Sequence, residues 1–366
     1  MAKGRSKIRR HIQTSDKRLR EDADVNLPPI KLDFLRAITD DTGIFQHSKF
    51  GTPNRLEGYT TDDNARALIA ITKYSQIEGD SKSDRLIDTY LSFLLHMQRT
   101  DGKMHNFLSY DRNFLDDEGS EECIGHTLWA CGYVLNSRLS AERRLVAKEL
   151  FDRAFRWVCF FKSPRAVACA ILGLCHYHKA YTDDQNLTRN IETLSDELLD
   201  YFANTRSGDW RWFEPYLTYV NGRLPQALFE AYRETKQARY IRVAEESLKF
   251  LLEVQIINKQ FVPIGNCGWY KKGEQRSFYD QQSVEAASMT EAALSAYRET
   301  DNCQYKAMAR TIFDWFLGKN TQNAFVYKSS TGSCYDGITE KGLNCNQGAE
   351  ANVCYLSSRI ELQTTK

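Results

Sequence analysis

The segment Gly58-Tyr59-Thr60-Thr61-Asp62-Asp63-Asn64-Ala65-Arg66 places two adjacent carboxylates where a helix begins. Paired carboxylates can share acid/base or nucleophilic work. Successive helical residues point about 100° apart, so one aspartate can cap the helix while the other projects from it. A helix N-terminus favours the ionised form, which suits a base or a nucleophile. Gly58 permits the tight backbone such a junction needs. The competing reading is purely structural, with Thr61 or Asp62 as an N-cap and Asp63 as a first-turn carboxylate.

Further polar and aromatic residues stand at other loop-to-helix junctions. Glu121, Glu122 and His126 enter one helix. Trp210, Trp212 and Glu214, in Gly208-Asp-Trp-Arg-Trp-Phe-Glu214, precede another and suit sugar stacking beside an acid. Trp269 and Tyr270, then Asp280, Gln281 and Glu285, lie at a third, and Asn346, Gln347 and Glu350 at a fourth. Sugar rings stack their apolar faces on Trp and Tyr while carboxylates bind hydroxyls or move protons, so the combination fits carbohydrate chemistry. Any one of these residues alone reads as a cap or a satisfied polar group. Meeting in one funnel, they would form a site, with Asp62 and Asp63 doing the chemistry and His47, Tyr59 and Arg66 joining the others around the substrate.

The elements that must bring them together form a weak internal repeat. Six helices rich in small and apolar residues are expected at Asp63–Tyr74, Cys123–Leu135, Arg165–Tyr177, Leu224–Tyr232, Val284–Tyr297 and Ala349–Ile360. Their Ala, Gly, Cys and Ser let neighbours approach closely, as buried helices require. Longer amphipathic helices alternate with them at Asp84–Gln98, Ala141–Phe161, Leu187–Phe202, Ala238–Val254 and Cys303–Leu317, with Leu32–Ile38 as the remaining member. Strand-like patches are short, as at Phe261–Ile264 and Ala324–Tyr327. Six buried helices inside six amphipathic ones describe an all-α, closed (α/α)6 toroid with its loops gathered around one axial funnel. An open solenoid fits less well, because the spacing is uneven and the connectors are rich in aromatics.

Composition bounds the rest. The 366 residues are 42% hydrophobic and 27% charged, enough to build a core without disulfides or a structural metal. Net charge is +1 from 49 basic and 48 acidic residues, which argues against a dedicated nucleic-acid binder. The longest apolar run, Ala166–Cys175, is too short for a membrane span. Residues 1–26 read as a basic, disordered arm without a secretory signal, and 27–366 as one toroid domain. The ten cysteines fit a reduced, cytoplasmic protein. Cys175-His176-Tyr177-His178 would fan its ligands around a helix, so no metal site is expected. Dinucleotide, Walker-type and Gly-x-Ser-x-Gly motifs are absent, and no cofactor is implied.

The pattern over residues 30–362 resembles the six-hairpin glycosidases. Asp62-Asp63-Asn64-Ala65-Arg66 is similar to the Asp-Asp-x-x-Trp segment of the endo-α-mannanases in that group, which implies nucleophile and acid/base roles for Asp62 and Asp63. Arg66 departs from that pattern, where those enzymes carry Trp. The stretch from Asp41-Thr-Gly-Ile-Phe-Gln-His47 through Gly58 to Arg66 is also similar to bacterial toroid domains found beside, or fused to, glycosyltransferases. The resemblance implies a glycoside hydrolase on a mannose-containing oligosaccharide. The alternatives are a sugar epimerase or isomerase using His126, or a non-catalytic carbohydrate-binding partner of a glycosyltransferase.

Overall fold

The computed structural model describes residues 27–79 and 83–365. The basic arm expected over 1–26 lies outside the described residues. The described helices belong to the compact unit Lys31–Lys366. They run in chain order as α1 (Asp33–Ala37), α2 (Thr61–Glu78), α3 (Asp84–Met97), α4 (Glu121–Leu135), α5 (Ala141–Phe155), α6 (Pro164–Ala180), α7 (Gln185–Thr205), α8 (Arg223–Thr235), α9 (Ala238–Gln255), α10 (Ser283–Thr300), α11 (Cys303–Phe313) and α12 (Ala349–Thr364).

The even-numbered helices form the inner ring. Each packs on the next, from α2 through α4, α6, α8 and α10 to α12, and α12 packs back on α2. That last contact closes the ring and makes the fold an (α/α)6 toroid rather than an open solenoid. Close approach depends on small residues. A Cβ at Gly132 of α4 would collide with the Gly173 carbonyl of α6, and one at Gly173 would lie 2.5 Å from the Leu128 carbonyl.

The odd-numbered helices cover the outside. In α7 the buried Leu187, Ile191, Leu194, Leu198 and Phe202 recur at helical spacing and form one stripe toward the inner ring. Two outer helices are shorter than expected. The Cys303–Leu317 segment leaves the helix after Phe313, because Phe313, Trp315 and Phe316 are all fully buried and a single outer stripe cannot bury all three. The Ala141–Phe161 segment stops at Phe155, and Phe161 turns to an extended conformation with its ring buried. The expected member at Leu32–Ile38 is only the five-residue α1.

Short two- and three-residue ladders tie the loops at one mouth. The largest sets Gly337–Thr339 between Gly342–Asn344 and Gln281–Gln282. Deeper in the ring the axis is polar but paired. Lys73 Nζ lies 3.1 Å from Glu291 and 2.7 Å from Glu361, and Arg223 lies 2.7 Å from Glu291. No described helix is long and apolar enough to cross a membrane.

Candidate active site

The site is built on the first turn of α2. Residues Tyr59–Thr60 pair with Phe107–Leu108, and the Thr61 amide donates to the Asn106 carbonyl at 2.9 Å. This fixes the direction in which α2 starts. Gly58 adopts φ +61°, and a Cβ there would strike the Leu108 carbonyl. The N-cap is Thr60, ahead of the expected Thr61 or Asp62, and its hydroxyl accepts from the Asp63 amide at 3.2 Å. Asp63 returns the contact, its Oδ2 accepting from the Thr60 hydroxyl at 2.8 Å, so the cap and the carboxylate hold one another.

The two aspartates therefore part company. Asp63 is buried, and its second oxygen accepts from Arg66 at 2.8 Å. Arg66 also donates to Glu350 at 2.8 Å, which couples α2 to α12. Asp62 instead faces α4, where its Oδ1 lies 2.8 Å from Nδ1 of His126. Asn106 reaches the other Asp62 oxygen at 3.4 Å.

Their electrostatics diverge accordingly. Burial works against the Asp62 carboxylate, but the adjacent His126 and Arg66 outweigh it and hold the group below its ordinary range. Burial opposes the His126 cation as well, yet Cys169 and Asp62 raise it to about 10. Burial pushes Asp63 up, with Glu350 and Asp62 adding to the rise and Arg66 and Thr60 opposing it.

A cavity of about 450 Å³ opens over Asp62, Asp63, Arg66 and Glu350. His47 and Asp280 stand at its edge, both exposed, and Gln281 lines it while donating to Phe278 O and Thr321 and accepting from Trp315. An adjoining cavity of about 350 Å³ shares Asp62, Arg66 and Glu350 and adds His126 and Glu122. Glu122 accepts from Ser163 at 3.1 Å and from Tyr219 at 2.9 Å.

Five expected residues line neither of these two cavities. Trp212 is fully buried, and Trp210 packs edge-on against Phe250 and Tyr270 at 5.2 and 5.3 Å. Buried in this way, these indoles form no stacking platform on the funnel. Glu214 is buried against Arg165 at 2.7 Å. The Tyr59 ring stacks on Phe45 at 5.0 Å and its hydroxyl donates to Asp40 at 2.7 Å, away from the cavity. Trp269 rests beside Tyr219, with ring centroids 6.0 Å apart.

The structure also supplies a carboxyl group that the sequence did not signal. Asp336 lines the larger cavity with Asp62 and accepts from the Gly348 amide at 2.5 Å. Gly348 caps α12, and a Cβ there would sit 3.2 Å from Asp336 and 3.4 Å from His47 Nδ1. Burial pushes Asp336 up, with Glu350 and Asp63 adding to the rise while Gly348 and His47 oppose it. Its local sequence, Asp336-Gly337, suggests a bend and carries no signal of a site. Among the described residues, no three His, Cys, Asp or Glu side chains converge to hold a metal ion. In the Cys175–His178 run, Cys175 is buried, His176 packs on the Tyr133 ring at 4.5 Å and His178 bonds Glu234 at 2.7 Å.

No protein-family model matches this chain, and no curated protein matches it. Solved structures do share its architecture. A D-mannose isomerase aligns with TM-score 0.71 and 12% identity over 91% of this chain and 95% of its own. A sugar epimerase from a ruminal bacterium aligns with TM-score 0.72 and 9% identity over 96% and 99%. An α-1,6-mannanase from a Salegentibacter species aligns with TM-score 0.62 and 10% identity over 91% and 97%. At these identities the likeness is one of fold.

Proposed function

We propose that this chain is a glycoside hydrolase acting on an uncharged, mannose-containing oligosaccharide. The observation that carries the reading is a pair of carboxyl groups on one cavity whose surroundings push them in opposite directions, Asp62 toward the carboxylate and Asp336 toward the acid. Glycosidic cleavage uses such a pair. Asp336 donates its proton to the glycosidic oxygen as the bond to the anomeric carbon breaks. Asp62 either attacks that carbon or takes a proton from the attacking water. Asp63, held by Thr60 and Arg66, is a positioning residue in this scheme. With Asp336 in its acid form, Asp62, Asp63, Asp280 and Glu350 still outnumber the Arg66 guanidinium and the His126 cation beside Asp62, a balance that disfavours phosphorylated or acidic sugars. The shared fold of an α-1,6-mannanase and a D-mannose isomerase supports mannose as the sugar.

Product release from manno-, gluco- and galacto-oligosaccharides, with wild type beside Asp62→Asn, tests this reading. New sugars with wild type alone are expected. No product from any substrate overturns it.

The contact between Asp62 and His126 favours a second reading, epimerisation or isomerisation of a sugar. There Asp62 removes a carbon-bound proton and a charged His126 protonates the neighbouring oxygen. Exchange of a sugar C–H for solvent deuterium without cleavage supports that reaction, and cleavage without exchange excludes it.

A further inference from the structure

The cavity around His126 continues beyond it. A third cavity of about 590 Å³ shares Glu122, Arg165 and Tyr219 with it and extends past Tyr201 and Tyr216. The three spaces adjoin through shared lining residues and lie in a row, a trough running from the cavity at Asp62 and Asp336, past His126, and out over the start of α6. Asp62 sits where the first two spaces meet, so a ligand reacting there has room on both sides. Each space is of the size that encloses a small organic ligand, and the trough as a whole exceeds what one monosaccharide fills.

The outer part of the trough is suited to sugars. Tyr219 stands at the junction, its hydroxyl donating to Glu122 and its ring 4.9 Å from the Arg165 guanidinium. Arg165 is itself neutralised by Glu214 at 2.7 Å. Tyr216 is 40% exposed, and its strand is held by pairing with Tyr270–Lys271, so the ring is presented on a fixed backbone. Tyrosines offer an apolar face for a pyranose ring together with a polar edge. The buried indoles at Trp210 and Trp212 leave this stacking role to the tyrosines.

We infer that the trough is an extended binding site for a linear oligosaccharide of at least three sugars, with its distal units held at Tyr219 and Tyr216. The inference rests on the reading of Asp62 as the reacting group, and it deepens that reading by setting the length of the substrate.

The test measures calorimetric affinity of the Asp62→Asn protein for α-1,6-manno-oligosaccharides and cello-oligosaccharides of two to six units, with and without Tyr216→Ala. In at least one series, affinity should rise about tenfold or more between two and four units, and Tyr216→Ala should remove most of that gain. Tyr216 is exposed, and an unchanged melting temperature will show that the variant is folded. Affinity that is undetectable in both series, is the same at every length, or keeps its length dependence in Tyr216→Ala overturns the trough. Length-dependent binding that persists while wild type releases no product would overturn the proposed reaction and leave the trough standing.

Discussion

Asp62 Oδ1 and His126 Nδ1 lie 2.8 Å apart although 64 residues separate them in the chain. The contact joins the first turn of α2 to the second turn of α4. It exists because the ring sets these neighbouring inner helices side by side with their N-termini at the same mouth. Both aspartates of the motif line the cavity, but Asp62 is paired with His126 while Asp63 is tied to the helix cap and Arg66.

Asp62→Asn should lower turnover by about 10²–10⁴-fold, the range for losing a positioned acid/base group. Asp63→Asn should be the milder change in rate and the harsher one in stability, because Asp63 bonds the N-cap hydroxyl and anchors Arg66. Steady-state rates and thermal melts of both variants, side by side, check the division.

Arg66→Ala should cost about 2 kcal/mol or more, chiefly through Asp63, which loses a buried charged partner. The Glu350 arm contributes less, since that carboxylate is 40% exposed and screened by solvent. Denaturant unfolding of Arg66→Ala, Glu350→Gln and the double variant measures the two arms. Equal losses for the two single variants would contradict this assignment.

His126 supplies a pH test. Its folded pKa, about 10, lies above the ordinary 6.5. A group raised in this way contributes its full stabilisation below about pH 6.5 and loses it as pH rises through about 10. The melting temperature of wild type should therefore fall across that window. His126→Gln should flatten that part of the decline, which a melting series in matched buffers reads directly.

Trp212→Ala should destabilise the protein by about 3–5 kcal/mol, as truncating a fully buried aromatic does. Its effect on sugar affinity, measured on the folded fraction, should be small. A large loss of affinity with little loss of stability would return Trp212 to the funnel.

Gly132→Ala and Gly173→Ala should each cost about 1–3 kcal/mol or more, since the added methyl meets a backbone carbonyl of the adjacent inner helix. Far-UV circular dichroism during thermal melting reports the loss. Gly208→Ala meets no nearby atom but sits at positive φ, so its cost should be the smaller backbone term alone.

Sequence by itself determined the alternation of helices, because burial writes itself locally. Inner helices are small and apolar on most faces, and outer helices such as α7 carry one stripe, so twelve segments could be read in order. It also located the start of α2 and the carboxylates there, since Gly58 and the polar run after it mark a junction. Tertiary structure alone decided what each side chain does at the mouth. Nothing within Asp62-Asp63 indicates that one meets His126 and the other Arg66, because those partners are set by which helices adjoin. Trp210 and Trp212 have the composition of a sugar platform, yet indoles serve a core equally well, and only tertiary packing buries them. Asp336 carries no local signal. It becomes part of the site because closure of the ring brings α12, with Gly348 at its cap, back against α2.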